Sequence, residues 1–471
     1  MHRLGIIMFL GFTLPAAWAQ ELRSNVLLIS IDDLNDWVGV LDGHPQAKTP
    51  NLDAFAARST LFTNAHCQAP VCNPSRVSLM TSRYPSSTGV YFLNPPIQKS
   101  VFEDQVVTLP TRFSREGYQV FAAGKLFHNR DNAEYFDEYA GNFGGFGPTP
   151  EQKISQPHGH PLWDWGAYPE RTDEMPDDKI ANWAVEQLQK DYDKPFFMGV
   201  GFFRPHVPMF APQEWFDKHP RESIQLPKVR NNDRDDISKY GRDLTTLEHV
   251  APTHEWVSEA NQWDHAVQAY LASTTFADAC VGKVLDALVA SPHADNTIVV
   301  IFSDHGFHLG EKERWAKRSL WEDGTRVPLM IQSPTHGHPS QTSAPAELID
   351  IYPTLLDLAG LTSDSNLEGQ SLRPLLDDPA AQWNHPARTT FGPGNHSIRT
   401  KRWRYIRYAD GSEELYDHDS DPNEWENLAN REEYEKVLAD HRKWLPKTHA
   451  PILGQDSTGH KAFAAAEAAR N

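Results

Sequence analysis

Four short, largely apolar runs stand out along the chain, at 26–31, 119–123, 196–203 and 297–302. Runs of this length, rich in Val, Ile and Phe and lacking a polar face, predict strands buried on both sides. Between them the apolar spacing widens to a helical period, over 178–189 and over the longer stretch 266–290. Strands alternating with helices predict an α/β domain with a mostly parallel central sheet between helices. Two stretches interrupt the alternation: 138–172, rich in Gly, Pro and aromatic residues, and 220–253, polar and charged. Both predict long surface insertions of the kind that shape a substrate entrance.

Near residue 372 the texture changes. Segments 397–400 and 403–408 read as strands with one polar face, Ala409-Asp410-Gly411-Ser412 as a turn, and 413–416 as the returning strand. A helix over 431–445 closes a smaller C-terminal α+β subdomain with an antiparallel sheet, and the tail after Pro451, with weak periodicity, is expected to fray. At the other end, Met1-His2-Arg3 is a short basic start, 4–14 an apolar run and Ala17-Trp18-Ala19 a small-x-small cleavage site. That combination predicts a signal peptide over 1–19 and a periplasmic or secreted protein. The expected division is 1–19, then 20–371 as the catalytic domain, then 372–471. No later stretch is long and apolar enough for a membrane anchor.

Composition narrows the chemistry. The 471 residues carry a formal charge of −19 and no basic run, which excludes nucleic acid as a natural partner. An anionic substrate would therefore need a local cationic pocket. Cysteine is sparse and odd in number, Cys67, Cys72 and Cys280, so even one bridge would leave a thiol over.

Candidate chemistry gathers where the predicted strands end. The first runs into Asp32-Asp33, another into Asp304-His305, a third into Lys125 and His128, a fourth into Arg204-Pro205-His206. Ligands of open α/β sheets bind beyond the carboxyl ends of the strands, so these groups would share one edge. Asp32, Asp33 and Asp304 are hard oxygen donors suited to Ca²⁺ or Mg²⁺, with His305 a further ligand or a neighbour. A cap for the following segment is the plainer reading of Asp32-Asp33. A second feature is Cys72-Asn73-Pro74-Ser75-Arg76: Pro74 suits a first helical turn, which sets Cys72 beside free amides that favour a tetrahedral anion, with Arg76 in reach.

Cys72-Asn73-Pro74-Ser75-Arg76, followed by Leu79-Met80-Thr81-Ser82-Arg83, resembles the type I sulfatase signature. So do Thr49-Pro50-Asn51-Leu52-Asp53, Gly124-Lys125, Ser303-Asp304-His305-Gly306, Trp315-Ala316-Lys317 and Glu414-Leu415-Tyr416-Asp417. Asn73 and Ser82 depart from the family's usual smaller residue and Gly. The resemblance implies an alkaline-phosphatase-like fold and oxidation of Cys72 to formylglycine by a maturase. It implies one Ca²⁺ held by Asp32, Asp33, Asp304, His305 and the modified Cys72. Arg76 and Lys125 would stabilise the hydrated aldehyde, while Lys125 and Lys317 contact sulfate. His206, with Lys317, would assist departure of the alcohol, and His128 would take the remaining hydroxyl proton as the aldehyde re-forms.

Gly124-Lys125-Leu126-Phe127-His128 and Arg204-Pro205-His206-Val207-Pro208 resemble segments of the iduronate 2-sulfatase subgroup. That likeness implies a sulfated uronic acid or another sulfated sugar, released by an exo-acting enzyme. Asn395, His396, Arg399 and Arg402 are candidates to read a sugar carboxylate, or else supports of the sheet edge. A phosphate or phosphonate ester hydrolase of the same fold is the alternative activity.

Overall fold

In the computed structural model the run at 26–31 becomes the centre of a sheet that carries every candidate strand end. The structure describes residues 23–97, 106–128, 133–155, 162–246, 250–454 and 458–470, so the signal peptide expected at 1–19 lies outside the described residues. The main sheet consists of β1 (Asn25–Ile31), β2 (Thr60–Phe62), β3 (Gln119–Gly124), β4 (Glu138–Tyr139), β5 (Phe196–Phe202), β6 (Thr297–Ser303), β7 (Leu329–Gln332) and β8 (Ser340–Thr342). Their order is β8-β2-β7-β6-β1-β5-β3-β4. Only β7 runs against its neighbours; the other pairings are parallel. The four predicted strands are thus the four adjacent central ones.

Period-two alternation splits the strand side chains between two cores. Leu27, Ile29 and Ile31 pack on one face with α3 (Pro176–Leu188) and the long α4 (Trp263–Val289). Val26 and Leu28 pack on the other with α1 (Cys72–Thr81), α2 (Leu109–Arg115) and α5 (Ile351–Leu358). Helices on both faces bury the sheet completely, which is why its strands lack a polar side.

Of the two insertions, the first is pinned beside the site: Trp165–Ala167 pairs in parallel with Met209–Ala211. The second is less superficial than its polarity predicts. It contains a helix, Lys239–Thr245, whose Tyr240 and Leu244 are buried with Phe391 and Tyr408.

The C-terminal sheet is antiparallel, in the order β9 (Ala387–Thr390), β10 (His396–Arg399), β11 (Trp403–Arg407), β12 (Glu413–Asp417). Its first strand escaped the sequence pattern because Ala-Arg-Thr-Thr shows no apolar alternation. The closing helix is shorter than expected, a 3₁₀ turn over Glu432–Tyr434 running into α6 (Glu435–Arg442). Within the tail, residues 458–470 are helical rather than frayed. Its Ala-rich sequence forms α7 (Thr458–Arg470), and Phe463 and Ala466 are buried, with Phe463 packed on Phe92 at 5.6 Å. Buried Arg404 fastens the small sheet to the large domain, pairing with Glu322 and Glu424 and donating to the carbonyl of Leu320 at 2.9 Å. Among the described residues no helix is long and apolar enough to cross a membrane.

Two glycines let β3 and β5 meet tightly where the lysine emerges. Gly124 has φ +78°, and a Cβ there would sit 1.9 Å from the Gly201 carbonyl oxygen; a Cβ on Gly201 would sit 2.4–2.5 Å from the Lys125 backbone. Gly201→Ala should therefore push Lys125 out of place and cost about 1–3 kcal/mol of stability, the usual scale of overpacking. Thermal unfolding checks this, and an unchanged midpoint would contradict it.

Candidate active site

Because β6, β1, β5 and β3 are adjacent and parallel, their carboxyl ends deliver Asp304-His305, Asp32-Asp33, Arg204–His206 and Lys125 to one place. Asp33 adopts a left-handed φ of 61°, which turns both neighbouring carboxylates toward the site. Its backbone N–H donates to Asp304 Oδ1 at 3.1 Å, tying the two strand ends together. From the opposite side α1 begins at Cys72, which is 1% exposed.

Three buried cations answer three buried carboxylates. Arg76 Nε donates to Asp304 Oδ2 at 2.9 Å and its second guanidinium nitrogen to Asp32 Oδ1 at 3.0 Å. The remaining nitrogen donates to Ser30 Oγ and to the carbonyls of Lys125 and Leu126. Lys125 pairs with Asp32 Oδ2. Lys317 donates to both oxygens of Asp33, at 2.6 and 2.8 Å, and to Cys72 Sγ at 3.3 Å. Left-handed Ala316 (φ 72°) and Arg318 (φ 75°) flank that lysine, and the Arg318 N–H anchors the turn on the carbonyl of Pro70.

His305 Nε2 lies 3.3 Å from Cys72 Sγ, 3.3 Å from Asp33 Oδ1 and 3.5 Å from Asp304 Oδ2. His206 presents Nε2 to Asp33 Oδ2 at 3.7 Å, while its Nδ1 faces the carbonyl of Val207. The loop holding His206 is clamped by Asp177, which accepts from the N–H groups of Phe203 and Arg204, both at 2.8 Å.

The charges shape one another. Burial opposes ionisation of Asp32, but Lys125 prevails and holds its carboxyl well below the usual range. Burial, only partly offset by Arg76, pushes Asp304 up to about 6. Burial also opposes the Cys72 thiolate, yet Lys125, Lys317 and His305 together hold the thiol well below its ordinary value. For His305 burial disfavours the imidazolium; Asp304 and Cys72 overcome it and lift the ring to about 9. Burial lowers His128, and the charge of the nearby Cys72 only partly offsets it.

Ligand atoms of Asp32, Cys72, Asp304 and His305 lie within 4.8 Å of one another, as do those of Asp32, Asp33, Cys72 and His206. Three converging carboxylates in a buried site fit a hard divalent cation. A further group, Glu322, His418 and Glu424, includes none of the strand-end residues and joins the small sheet to the large domain through Arg399 and Arg404.

All ten sequence candidates for catalysis and metal binding meet here: Asp32, Asp33, Cys72, Arg76, Lys125, His128, His206, Asp304, His305 and Lys317. The proposed carboxylate readers do not. Arg399 pairs with Glu322 and Arg402 with Asp417. Asn395 accepts from the Ala409 N–H, and His396 meets Thr390 Oγ1 and stacks on His449. They support the small sheet. The three cysteines are free and buried.

The two departures from the family signature are accommodated by the fold. The Asn73 amide donates to the carbonyls of Phe92 and Pro95. Ser82, left-handed at φ 49°, donates to the Ile349 carbonyl and accepts from the Gly369 N–H.

Sequence reasoning missed Ser30, Ser75, Tyr270 and Phe146. Ser75 Oγ donates to the carbonyl of Asp304 at 2.5 Å, and Tyr270 OH donates to that of Asp33 at 2.7 Å. Phe146 packs against the His206 ring at 4.5 Å, with the Lys125 ammonium 5.0 Å from its centroid. Ser75 was visible inside the motif and Phe146 inside the Gly-rich insertion; Tyr270 gave no signal within an apolar helix.

Residues 24–361 match the family model described as "Sulfatase", and residues 310–450 the one described as "N-sulphoglucosamine sulphohydrolase, C-terminal". A Formosa agariphila protein named "Sulfatase" is 41% identical over 91% of this chain and 87% of its own length. Mouse iduronate 2-sulfatase is 30% identical over 88% of this chain and 92% of its own. Among solved structures, a phosphonate monoester hydrolase from Silicibacter pomeroyi superposes with a TM-score of 0.74 at 21% identity, covering 89% of this chain and 94% of that one.

Arg76→Leu should leave Asp32 and Asp304 without their shared partner and cost about 3–5 kcal/mol, as breaking a buried ion pair does. Denaturant unfolding in excess chelator reads this loss directly, and equal stability of the two proteins would contradict the bridging role.

Proposed function

The chain belongs to the sulfatase family and is a sulfuric ester hydrolase, and on that premise we propose that it releases sulfate from a sulfated sugar with a formylglycine made from Cys72. One Ca²⁺ would be held by Asp32, Asp33, Asp304, His305 and the oxidised side chain at 72. The observation that carries the proposal is the position of Cys72 Sγ, 3.3 Å from both Lys317 Nζ and His305 Nε2 and beside three carboxylates. The similarity to mouse iduronate 2-sulfatase supports a sulfated uronate or related sugar.

Bound calcium would supply positive charge for the nucleophile and for the sulfate oxygens. Oxidation of Cys72 would supply a hydrated aldehyde, its oxygens taking the place of Sγ. A sulfate ester repels nucleophiles, so fixed cations must neutralise it as charge develops. Lys125 and Lys317 serve that need from opposite sides of Asp32-Asp33. Arg76, saturated with acceptors, holds the carboxylates in register. His206, with Nδ1 turned to a carbonyl, offers Nε2 to the departing alcohol, and His128 receives a proton from position 72.

Maturation and export complete the reading. Because every residue from 72 to 82 is buried, the maturase must read Cys72-Asn73-Pro74-Ser75-Arg76 before the chain folds. The basic and apolar start of the sequence then directs the chain to the periplasm or outside the cell. The division into residues 20–371 and 372–471 assigns the chemistry to the first part.

The likeness to a phosphonate monoester hydrolase makes phosphorus esters the second reading. Parallel assays of 4-nitrophenyl sulfate, phosphate and phenylphosphonate separate the two. The expected outcome is preferred sulfate release, an aldehyde captured by hydrazide at position 72, and loss of turnover in Cys72→Ala. Faster phosphonate cleavage, or turnover surviving in Cys72→Ala, would refute the assignment.

A further inference from the structure

Next to the charged centre lies a cavity of about 540 Å³, within the usual range of small-molecule pockets. Its lining includes Lys125 and His128, and much of the rest is aromatic: Phe146, Phe203 and Phe210, with Phe143 and Leu162 from the first insertion. We infer that Phe143 is the specificity-determining residue that grips the alcohol part of the ester, and that this part is a pyranose ring presenting a face of C–H bonds. The inference rests on the sulfatase reading for the ester and on this cavity for the ring.

Phe143 is held in a way that packing does not explain. It stands at φ 49°, a left-handed conformation that is strained for a bulky side chain. It also remains 36% exposed. The loop around it is nevertheless fixed: the Gly145 N–H donates to the Asn142 carbonyl at 2.8 Å and the Gly147 N–H to that of Gly144 at 3.2 Å. Three residues further on, Phe146 points inward against Phe203 and His206. One aromatic of the loop thus braces the catalytic histidine, and the other is left to the cavity.

Exposed apolar surface concentrates in the same insertion. Among the described residues, Phe143, Ile154 and Leu162 are three of the six exposed large hydrophobic side chains. Phe143 and Leu162 both line the cavity, and exposed apolar side chains at such a cavity mark a binding surface. Aromatic faces are electron-rich and attract the partly positive C–H groups of a saturated ring. Arg399 and Arg402, candidates for reading a carboxylate, pair with Glu322 and Asp417.

The test compares sulfate release from a panel of singly sulfated methyl hexopyranosides with release from methyl sulfate, which has no ring to stack. Phe143→Asn, which tolerates the left-handed backbone, and Phe143→Ala should each lower the preference for the best glycoside about ten-fold. The loss should fall on KM, and Phe143→Trp should retain the preference. An unchanged preference in the Asn and Ala variants overturns the inference. Calorimetric titration of the panel into Cys72→Ala and into Cys72→Ala/Phe143→Asn reads the contact without turnover. Weaker binding by the double variant supports stacking, and equal binding, or none by either protein, overturns it. Glycosides that bind the single variant but are never hydrolysed by the wild type would sink the sulfatase reading while leaving the stacking contact supported.

Discussion

Asp32, Asp33 and Asp304 are carboxylates in one buried site, and their mutual repulsion is the constraint that the surrounding structure answers. Isolated buried charges are strongly unfavourable, and only well-placed partners make them tolerable. Arg76 spans two of the three, Lys125 and Lys317 take the remaining oxygens, and the Asp33 N–H closes the gap to Asp304. Lys125 and Lys317, with His305, also hold Cys72 low in pKa. A site built to balance charge this closely is suited to a polyvalent cation and an anionic ester.

The fold serves that balance through its strand ends. Parallel pairing of β6, β1, β5 and β3 sets four loops side by side, and the Gly124–Gly201 contact fixes where Lys125 leaves the sheet. The C-terminal sheet acts at one remove. Through Arg404 and Arg399 it grips Leu320 and Glu322, just beyond the turn that presents Lys317. It thereby holds that lysine's loop, and the ion pairs of Arg399 and Arg402 agree with the sheet-support reading of those residues.

What the sequence revealed follows from which signals are local. Buried strands announce themselves as apolar runs, so the central four were legible to within a residue or two, and the acids and bases after them were legible as strand-end residues. Pro74 marked a helix start beside Cys72, but the roles of Cys72 and Arg76 were readable only through the resemblance of their motif to the sulfatase signature. The edge strand Ala387–Thr390 has no such run and was missed. The tail was misread because the partners of Phe463, such as Phe92, lie hundreds of residues away. Tyr270 was invisible for the same reason: its hydroxyl bonds the Asp33 carbonyl across the fold. Long-range satisfaction of polar groups leaves no periodic trace.

The most direct test of the central claim is an anomalous-diffraction map from crystals of the matured protein grown with calcium. The account predicts one strong peak at about 2.3–2.6 Å from carboxylate oxygens of Asp32, Asp33 and Asp304, adjoining the modified side chain at position 72. A map with no peak there, or with calcium bound elsewhere and Lys317 still paired to Asp33, would contradict it.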